Sequence, residues 1–81
     1  MNYAVNFHAS ASSQIPGLPA EAFRALVDEL LIIGADPHHR GFPDPDDPRY
    51  REQVFGAVGL VSYLIDDAAK VVHVYAITWA G

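Results

Sequence analysis

Length, composition and charge limit what this chain can be. Its 81 residues, 51% of them hydrophobic, suffice for one small domain spanning residues 1–81. The absence of cysteine excludes disulfides and thiolate metal sites, and no apolar run approaches the ~18 residues that span a membrane. A net charge of −5 argues against general binding of nucleic acid through its phosphates. The sequence has no signal-peptide pattern, so a cytoplasmic protein is predicted. Neither a cofactor nor a metal ion is predicted.

The N-terminal part of the chain predicts a strand, a short helical turn and one longer helix. Apolar and polar residues alternate over residues 2–8, as in a strand, and Ser10 suits the start of a helical turn that Pro16 keeps short. The longer helix is predicted over residues 19–33, with Gly34 as its C-terminal cap. Its apolar stripe contains Phe23, Leu26, Val27, Leu30 and Leu31, whereas Arg24, Asp28 and Glu29 lie off that stripe.

The C-terminal half predicts a long loop followed by three consecutive antiparallel strands. Residues 36–48 contain four prolines and four aspartates, which favours a loop. β-Branched and aromatic residues fill the segments 49–55, 60–65 and 71–79, which favours strands. Strict alternation in the last segment places Tyr75, Ile77 and Trp79 on one face. Because the first strand is expected beside one of these three, the predicted fold is α+β, a four-stranded antiparallel or mixed sheet covered by one or two N-terminal helices.

The order of these elements, with the residues they carry, resembles the RelE/ParE superfamily of toxins from bacterial type II toxin–antitoxin systems. Three segments carry the resemblance, and they are NFHASASSQIPGLPAEAFRALVDELLIIGADP, YREQVFGAVGLVSYLIDD and VVHVYAIT. They are similar to the family's first strand and helices, its tyrosine-led strand with a glycine turn, and its last strand. The resemblance implies the family's fold and an antitoxin as the protein partner. It also implies the ribosome and its mRNA as a target, since members of one branch cleave mRNA there.

The mRNA-cleaving branch acts through basic residues and a late tyrosine, and few of these groups are present in the matching positions. Arg51 falls where that branch has a lysine, and Gln53 falls at a second basic position. Arginine positions of the family fall on Phe55, Leu60 and Ala80, and the late tyrosine would lie beyond Gly81. The resemblance therefore implies a depleted mRNA-cleavage site. Cleavage through the RNA 2′-hydroxyl needs a base, cations for the phosphorane and a proton donor, which one arginine does not supply.

Candidate site residues fall into three groups, each with a plainer alternative. Arg51 and His73 are the catalytic candidates and form an anion site together with Arg49 if strands 49–55 and 71–79 are neighbours; otherwise these are solvated residues. RNA binding is predicted for Arg49 and for His38, His39 and Arg40; the last three would otherwise belong to a solvated loop or, with Asp36 or Asp44, hold a divalent metal. Partner binding or homodimerisation is predicted for Tyr75, Ile77 and Trp79, unless Trp79 folds over the helix.

Three hypotheses follow. The first is a toxin-like protein of this superfamily whose mRNA-cleavage site is depleted and whose partner is an antitoxin. The second is a non-enzymatic interaction module or homodimer that kept the fold and lost toxicity. The third is an active mRNA endonuclease with an atypical site built from histidine and arginine.

Overall fold

A computed structural model describes residues 2–80. Its elements are β1 (Ala4–Phe7), α1 (Ala9–Ser12), a 3-10 turn (Ile15–Gly17), α2 (Ala20–Ala35), a second 3-10 turn (Pro37–His39), β2 (Phe42–Pro43), β3 (Tyr50–Phe55), β4 (Gly59–Asp66) and β5 (Val71–Trp79). No helix in the part of the chain that the structure describes is long and apolar enough to cross a membrane.

The strands form one mixed sheet in the order β1-β5-β4-β3-β2. β1 runs parallel to β5, and the other pairs are antiparallel. The predicted α+β fold is thus confirmed, as is the placement of the first strand beside one of the three C-terminal strands. The sheet has five strands rather than four, because Phe42 and Pro43 in the predicted loop pair with Glu52 and Arg51. A strand of two residues with a proline at the sheet edge has no alternation by which the sequence would reveal it.

Helix α2 extends two residues beyond its predicted end. Gly34 lies inside the helix, and the cap falls at Asp36. A side chain on residue 34 would lie 3.2 Å from the carbonyl oxygen of Tyr3, whose own N–H donates to the Gly34 carbonyl at 2.7 Å. Glycine at this position therefore lets the start of β1 approach the helix backbone, and the prediction of a C-terminal cap was wrong.

The helix packs on the sheet with only part of its apolar stripe. Leu26 and Leu30 are buried as predicted, together with Ala22 and Ile33. Three other members of the stripe remain exposed, namely Phe23 at 45%, Val27 at 38% and Leu31 at 69%. The stripe is wider than the area that the sheet covers, so one edge of it is left at the surface. Glu29, which lies off the stripe, is buried instead.

A β-bulge changes the faces of the last strand. Ser62 pairs with Ala76 but Tyr63 pairs with Val74, which leaves Tyr75 as the extra residue. Ile77 is therefore buried in the core, and Trp79 packs against the core with its ring stacked on Phe55, centroids 5.9 Å apart. Tyr75 lies on the opposite side of the sheet. The prediction that Tyr75, Ile77 and Trp79 share one face was wrong, because strict alternation does not hold across a bulge.

The sheet has two different sides. The side that packs against α2, here called the helix face, carries the core residues Val61, Tyr63, Ile65, Val72 and Val74. The opposite side, here called the open face, carries Tyr50, Glu52, Leu64, His73 and Tyr75.

Candidate functional site

The two arginines predicted to bind RNA are both paired with carboxylates. The Arg40 guanidinium donates to both oxygens of buried Glu29, from Nε at 2.9 Å and from Nη2 at 2.8 Å. Arg49 forms a second ion pair with Asp47 at 3.0 Å, and this holds the pKa of Asp47 below its usual value. Both cations are thus neutralised within the chain and offer little charge to a phosphate.

The two histidines predicted to bind RNA also have acidic partners. His38 Nε2 lies 2.7 Å from Asp67, and His39 Nδ1 lies 2.8 Å from Asp36. Asp67 in addition accepts a hydrogen bond of 2.6 Å from the Tyr3 hydroxyl, and these bonds from Tyr3 and His38 lower the pKa of Asp67. Within residues 2–80, no group of three or more metal-ligating side chains is close enough to hold an ion.

The two catalytic candidates, Arg51 and His73, lie on opposite faces of the sheet. Strand β4 separates β3 from β5, so these two strands are not neighbours. Arg51 pairs with Tyr63, whose side chain points to the helix face, whereas His73 pairs with Leu64 on the open face. The condition for an anion site of Arg49, Arg51 and His73 is therefore not met, and Arg51 and His73 do not converge.

Arg51 is engaged by the loop that the sequence predicted. Its Nη1 donates to the carbonyl oxygen of Arg40 at 3.2 Å, and its Nε is buried without a hydrogen-bond partner among residues 2–80. The same carbonyl accepts a hydrogen bond of 2.8 Å from the Tyr63 hydroxyl, which also lies 3.3 Å from the Pro37 carbonyl. Burial raises the pKa of Tyr63 to about 12. Tyr63 and Arg51 thus fasten the loop to the sheet, and Arg51 points away from the open face.

His73 belongs to a cluster of aromatic rings on the open face that the sequence did not reveal. The His8 ring centroid lies 5.4 Å from that of His73 and 4.1 Å from that of Tyr75, and Tyr50 lies 6.5 Å from Tyr75. His73 Nε2 is 3.7 Å from Asp66. His8 Nε2 is buried and has no partner among residues 2–80. The only sequence signal for His8 was its place at the end of the first strand, because the parallel register that brings β1 beside β5 cannot be read from the sequence.

The imidazoles of His8 and His73 are close enough to share a proton-transfer role. No Lys or Arg among residues 2–80 forms a hydrogen bond or an ion pair with either imidazole, so this pair of rings has no paired cation to hold a phosphate. A carboxylate, that of Asp66, lies 3.7 Å from His73 Nε2.

A second candidate surface is an apolar groove beside α2. Its volume is about 510 Å³, and it is lined by Val5, Phe7, Ile15, Phe23, Leu26, Val27, Leu30 and Leu31. The N–H groups of Ala4 and His8 donate to two carbonyl oxygens, that of Lys70 just before β5 and that of Val74 within β5. Because neighbouring residues of a strand point their backbone groups to opposite sides, those of Val5 and Phe7 face the outer edge of the sheet. The groove thus combines an exposed apolar helix edge with an unpaired strand edge.

Comparison with known proteins assigns the fold. No protein-family model matches the sequence, and no curated protein matches it significantly. A chain of the toxin–antitoxin complex RelBE2 from Mycobacterium tuberculosis superposes with a TM-score of 0.85, covering 99% of this chain and 100% of that one at 20% identity. The isolated Escherichia coli RelE toxin gives a TM-score of 0.86 over 98% of this chain and 85% of that one, at 18% identity.

The chain has the fold of RelE toxins. A mutant E. coli RelE in complex with an antitoxin RelBc peptide also matches, with a TM-score of 0.84 over 100% of this chain and 86% of that one, at 18% identity. The superfamily resemblance seen in the sequence is therefore confirmed at the level of the fold. In this RelE-type fold, the apolar groove and the open face lie on opposite sides of the sheet.

Proposed function

We propose that this chain is the cytoplasmic, toxin-like component of a type II toxin–antitoxin pair, and that an antitoxin segment occupies the apolar groove. The groove is the observation that carries the proposal. Phe23, Val27 and Leu31 expose 38% to 69% of their surface along one helix edge, which is costly for a protein without a partner. Two of the matching structures, RelBE2 and the E. coli RelE mutant, are complexes with an antitoxin, which supports the same kind of partner here.

The shape of the groove fits two known modes of peptide recognition. An amphipathic helix would place apolar side chains against Phe23, Val27 and Leu31, as in helix-in-groove binding. An extended segment that follows the helix would pair with the free edge of β1 beside Val5 and Phe7. In both modes the groove of this chain is already formed, so only the partner segment would have to become ordered on binding.

We further propose that ribosome-dependent mRNA cleavage is absent. The superfamily's cleavage positions carry Arg51 and otherwise the uncharged residues Gln53, Phe55, Leu60 and Ala80. Arg51 is itself turned to the helix face and bonded to a loop carbonyl. Loss of a single stabilising donor typically costs a reaction about 3 kcal/mol of transition-state stabilisation. Several losses together are expected to leave little catalysis, although such effects do not add simply.

One observation favours a second candidate function, an RNA endonuclease with an atypical site. His8 and His73 lie within 5.4 Å of each other on the open face, and a pair of imidazoles is a common acid–base set. In that case His8→Ala and His73→Ala would each abolish cleavage, whereas Arg51→Ala would leave it intact.

The groove is tested by co-expression of this chain with the product of the reading frame adjacent to its own. We expect the two proteins to copurify and Leu31→Glu to break the complex, since the substitution places a charge at the groove. Ile32→Glu is the matched control, because Ile32 is also exposed, at 48%, and is not among the groove residues. Equal binding by both variants would contradict the proposal. Loss of binding in both would show that the partner also contacts Ile32, so that its interface would not be confined to the groove.

Induced expression of the chain alone in a bacterial host separates the toxin from the harmless module. Growth arrest that the partner relieves supports a toxin. Normal growth, together with a complex that Leu31→Glu disrupts, would favour an interaction module that kept the fold and lost toxicity. Sedimentation of the chain alone tests the remaining occupant, a second copy, since a homodimer through the groove would dissociate in Leu31→Glu.

A further inference from the structure

The open face carries a row of aromatic rings that crosses the sheet. Phe42 on β2 is 74% exposed and borders the same shallow depression as Tyr50 on β3. Tyr50 lies 6.5 Å from Tyr75 on β5, and Tyr75 lies 4.1 Å from His8 at the end of β1. The row thus extends from one edge strand of the sheet to the other. Phe42 is exposed and the other three rings are half-buried, and flat rings at a surface provide binding area at a low entropic cost.

Carboxylates accompany this row, and Arg49, which precedes Tyr50 in the sequence, is already paired with a carboxylate. Glu52 and Asp44 line the depression with Phe42 and Tyr50, a space of about 190 Å³. Neither carboxylate forms an ion pair within residues 2–80; Asp44 accepts backbone N–H groups and Glu52 accepts the hydroxyl of Ser62 at 3.4 Å. Arg49 is bound to Asp47. The row therefore lies in an environment that is acidic and aromatic.

We infer that the open face is a docking surface for a basic, extended peptide segment of a partner protein. Arginine and lysine side chains bind over the faces of aromatic rings, and an arginine guanidinium forms strong hydrogen bonds with a carboxylate. The depression offers both kinds of contact, with Phe42 and Tyr50 as rings and Glu52 as the carboxylate. The chain's net charge of −5 draws a basic segment toward it.

The charge of the same face favours a basic peptide over single-stranded RNA as the occupant. Proteins that stack bases on aromatic rings combine those rings with a positively charged groove that follows the phosphates. Three carboxylates lie beside the rings of the open face, those of Glu52, Asp44 and Asp66, and Arg49 near Asp66 is itself paired with Asp47. Phosphates would meet repulsion where a basic peptide would meet attraction.

This inference goes beyond the proposed antitoxin site. The groove lies beside α2 on the helix face, so a variant of the open face leaves the groove residues unchanged, and the converse also holds. A failure of one proposal is therefore separable from a failure of the other.

The test uses a fluorescein-labelled hexa-arginine peptide and fluorescence anisotropy with the full chain, at one fixed moderate salt concentration. We expect Glu52→Gln to weaken binding about 10-fold, the usual effect of losing one charge-assisted hydrogen bond. Phe42→Ala is expected to weaken it about 3- to 5-fold through the lost cation–π contact. Asp28→Asn on α2 is the matched control, because it removes the same charge from an exposed residue outside the open face, and we expect less than about a 2-fold effect.

Two further measurements complete the test. Backbone amide shifts on titration with the peptide are expected to change at Tyr50, Glu52 and Tyr75 and to stay constant at Leu31. An oligouridine of six nucleotides is expected to bind at least about 10-fold more weakly than hexa-arginine, given the repulsion described. If Asp28→Asn and Glu52→Gln weakened hexa-arginine binding equally, the binding would be general charge attraction, and the inference would be overturned. Tighter binding of oligouridine would overturn it in favour of RNA.

Discussion

Replacement of Tyr63 by phenylalanine tests the contact that ties the loop to the sheet. Tyr63 is completely buried, and in Tyr63→Phe the ring keeps its place in the core. The variant loses the 2.8 Å hydrogen bond to the Arg40 carbonyl and the longer contact of 3.3 Å with the Pro37 carbonyl. Because Arg51 still donates to the Arg40 carbonyl, that acceptor keeps a partner. We therefore expect the free energy of unfolding to fall by only about 1 kcal/mol at pH 7.

The same substitution is expected to become stabilising in alkali. Burial raises the pKa of Tyr63 from 10.0 to about 12, so the unfolded chain releases this proton before the folded chain does. The stability that the buried hydroxyl contributes is complete below pH 10 and is lost as the pH rises toward 12. At 1.36 kcal/mol per pKa unit, the parent chain loses about 2.7 kcal/mol that Tyr63→Phe retains. The two stabilities should cross near pH 11.

The measurement is urea unfolding of both proteins at several values of pH between 7 and 12, with the fluorescence of Trp79 as the signal of unfolding. Only the difference between the two free energies is used, because the other tyrosines titrate in both proteins and their effects cancel. Absorbance of tyrosinate near 295 nm gives the ionisation directly. A difference that stays constant from pH 7 to pH 12 would falsify the buried, protonated state of Tyr63. A loss above about 3 kcal/mol at pH 7 would show that the loop depends on this one bond.

Three further outcomes are expected. Leu30→Ala should lower the free energy of unfolding by about 2–5 kcal/mol, because Leu30 is buried. Leu31→Ala, at a residue that is 69% exposed, should change it by less than about 0.5 kcal/mol. Similar losses in the two variants would show that the buried face of α2 is assigned wrongly. Primer extension on a translated message with purified protein should show no new cuts in the codon at the ribosomal A site, and such cuts would refute the proposed absence of cleavage. Acrylamide should quench Trp79, stacked on Phe55, less than in the unfolded chain and equally at all protein concentrations; quenching that decreases with concentration would indicate a homodimer through β5.

Local patterns predicted most of the fold correctly. The segments of β3, β4 and β5 and the helix α2 each have a periodicity that is visible within a single element, and each was placed within two residues. What failed depends on contacts between distant residues. Glycine is the residue type that commonly caps a helix, but Gly34 instead allows the backbone of Tyr3 to come close to α2. Tyr3 is 31 residues earlier in the sequence, so this contact has no local signal. The bulge at Tyr75 is a property of a strand pair, and no single strand reveals it.

The candidate site was harder to predict because it depends on sheet order. His73 was selected from the sequence, but His8, its neighbour in space, is 65 residues earlier and lies on a strand of unknown register. The ion pair between Glu29 and Arg40 was not predicted, since Glu29 lies off the apolar stripe of the helix, Arg40 was predicted to bind RNA, and a buried ion pair has no periodic signature. Partner binding by Tyr75, Ile77 and Trp79 stays a prediction, and these residues would have to act from two sides of the sheet.

The arrangement of charge separates the proposed antitoxin site from the cations of this RelE-type fold. The core residues that hold α2 on the sheet are apolar and lie on the helix face, whereas Arg40 and Arg51 hold the loop through their bonds to Glu29 and to the Arg40 carbonyl. Two of the five Lys and Arg residues, Arg40 and Arg49, are paired with acids, and Arg51 is bonded to a backbone carbonyl. None of these three arginines is among the residues that line the groove. The proposed antitoxin binding and the proposed absence of RNA cleavage therefore concern separate residues, and each can be tested without the other.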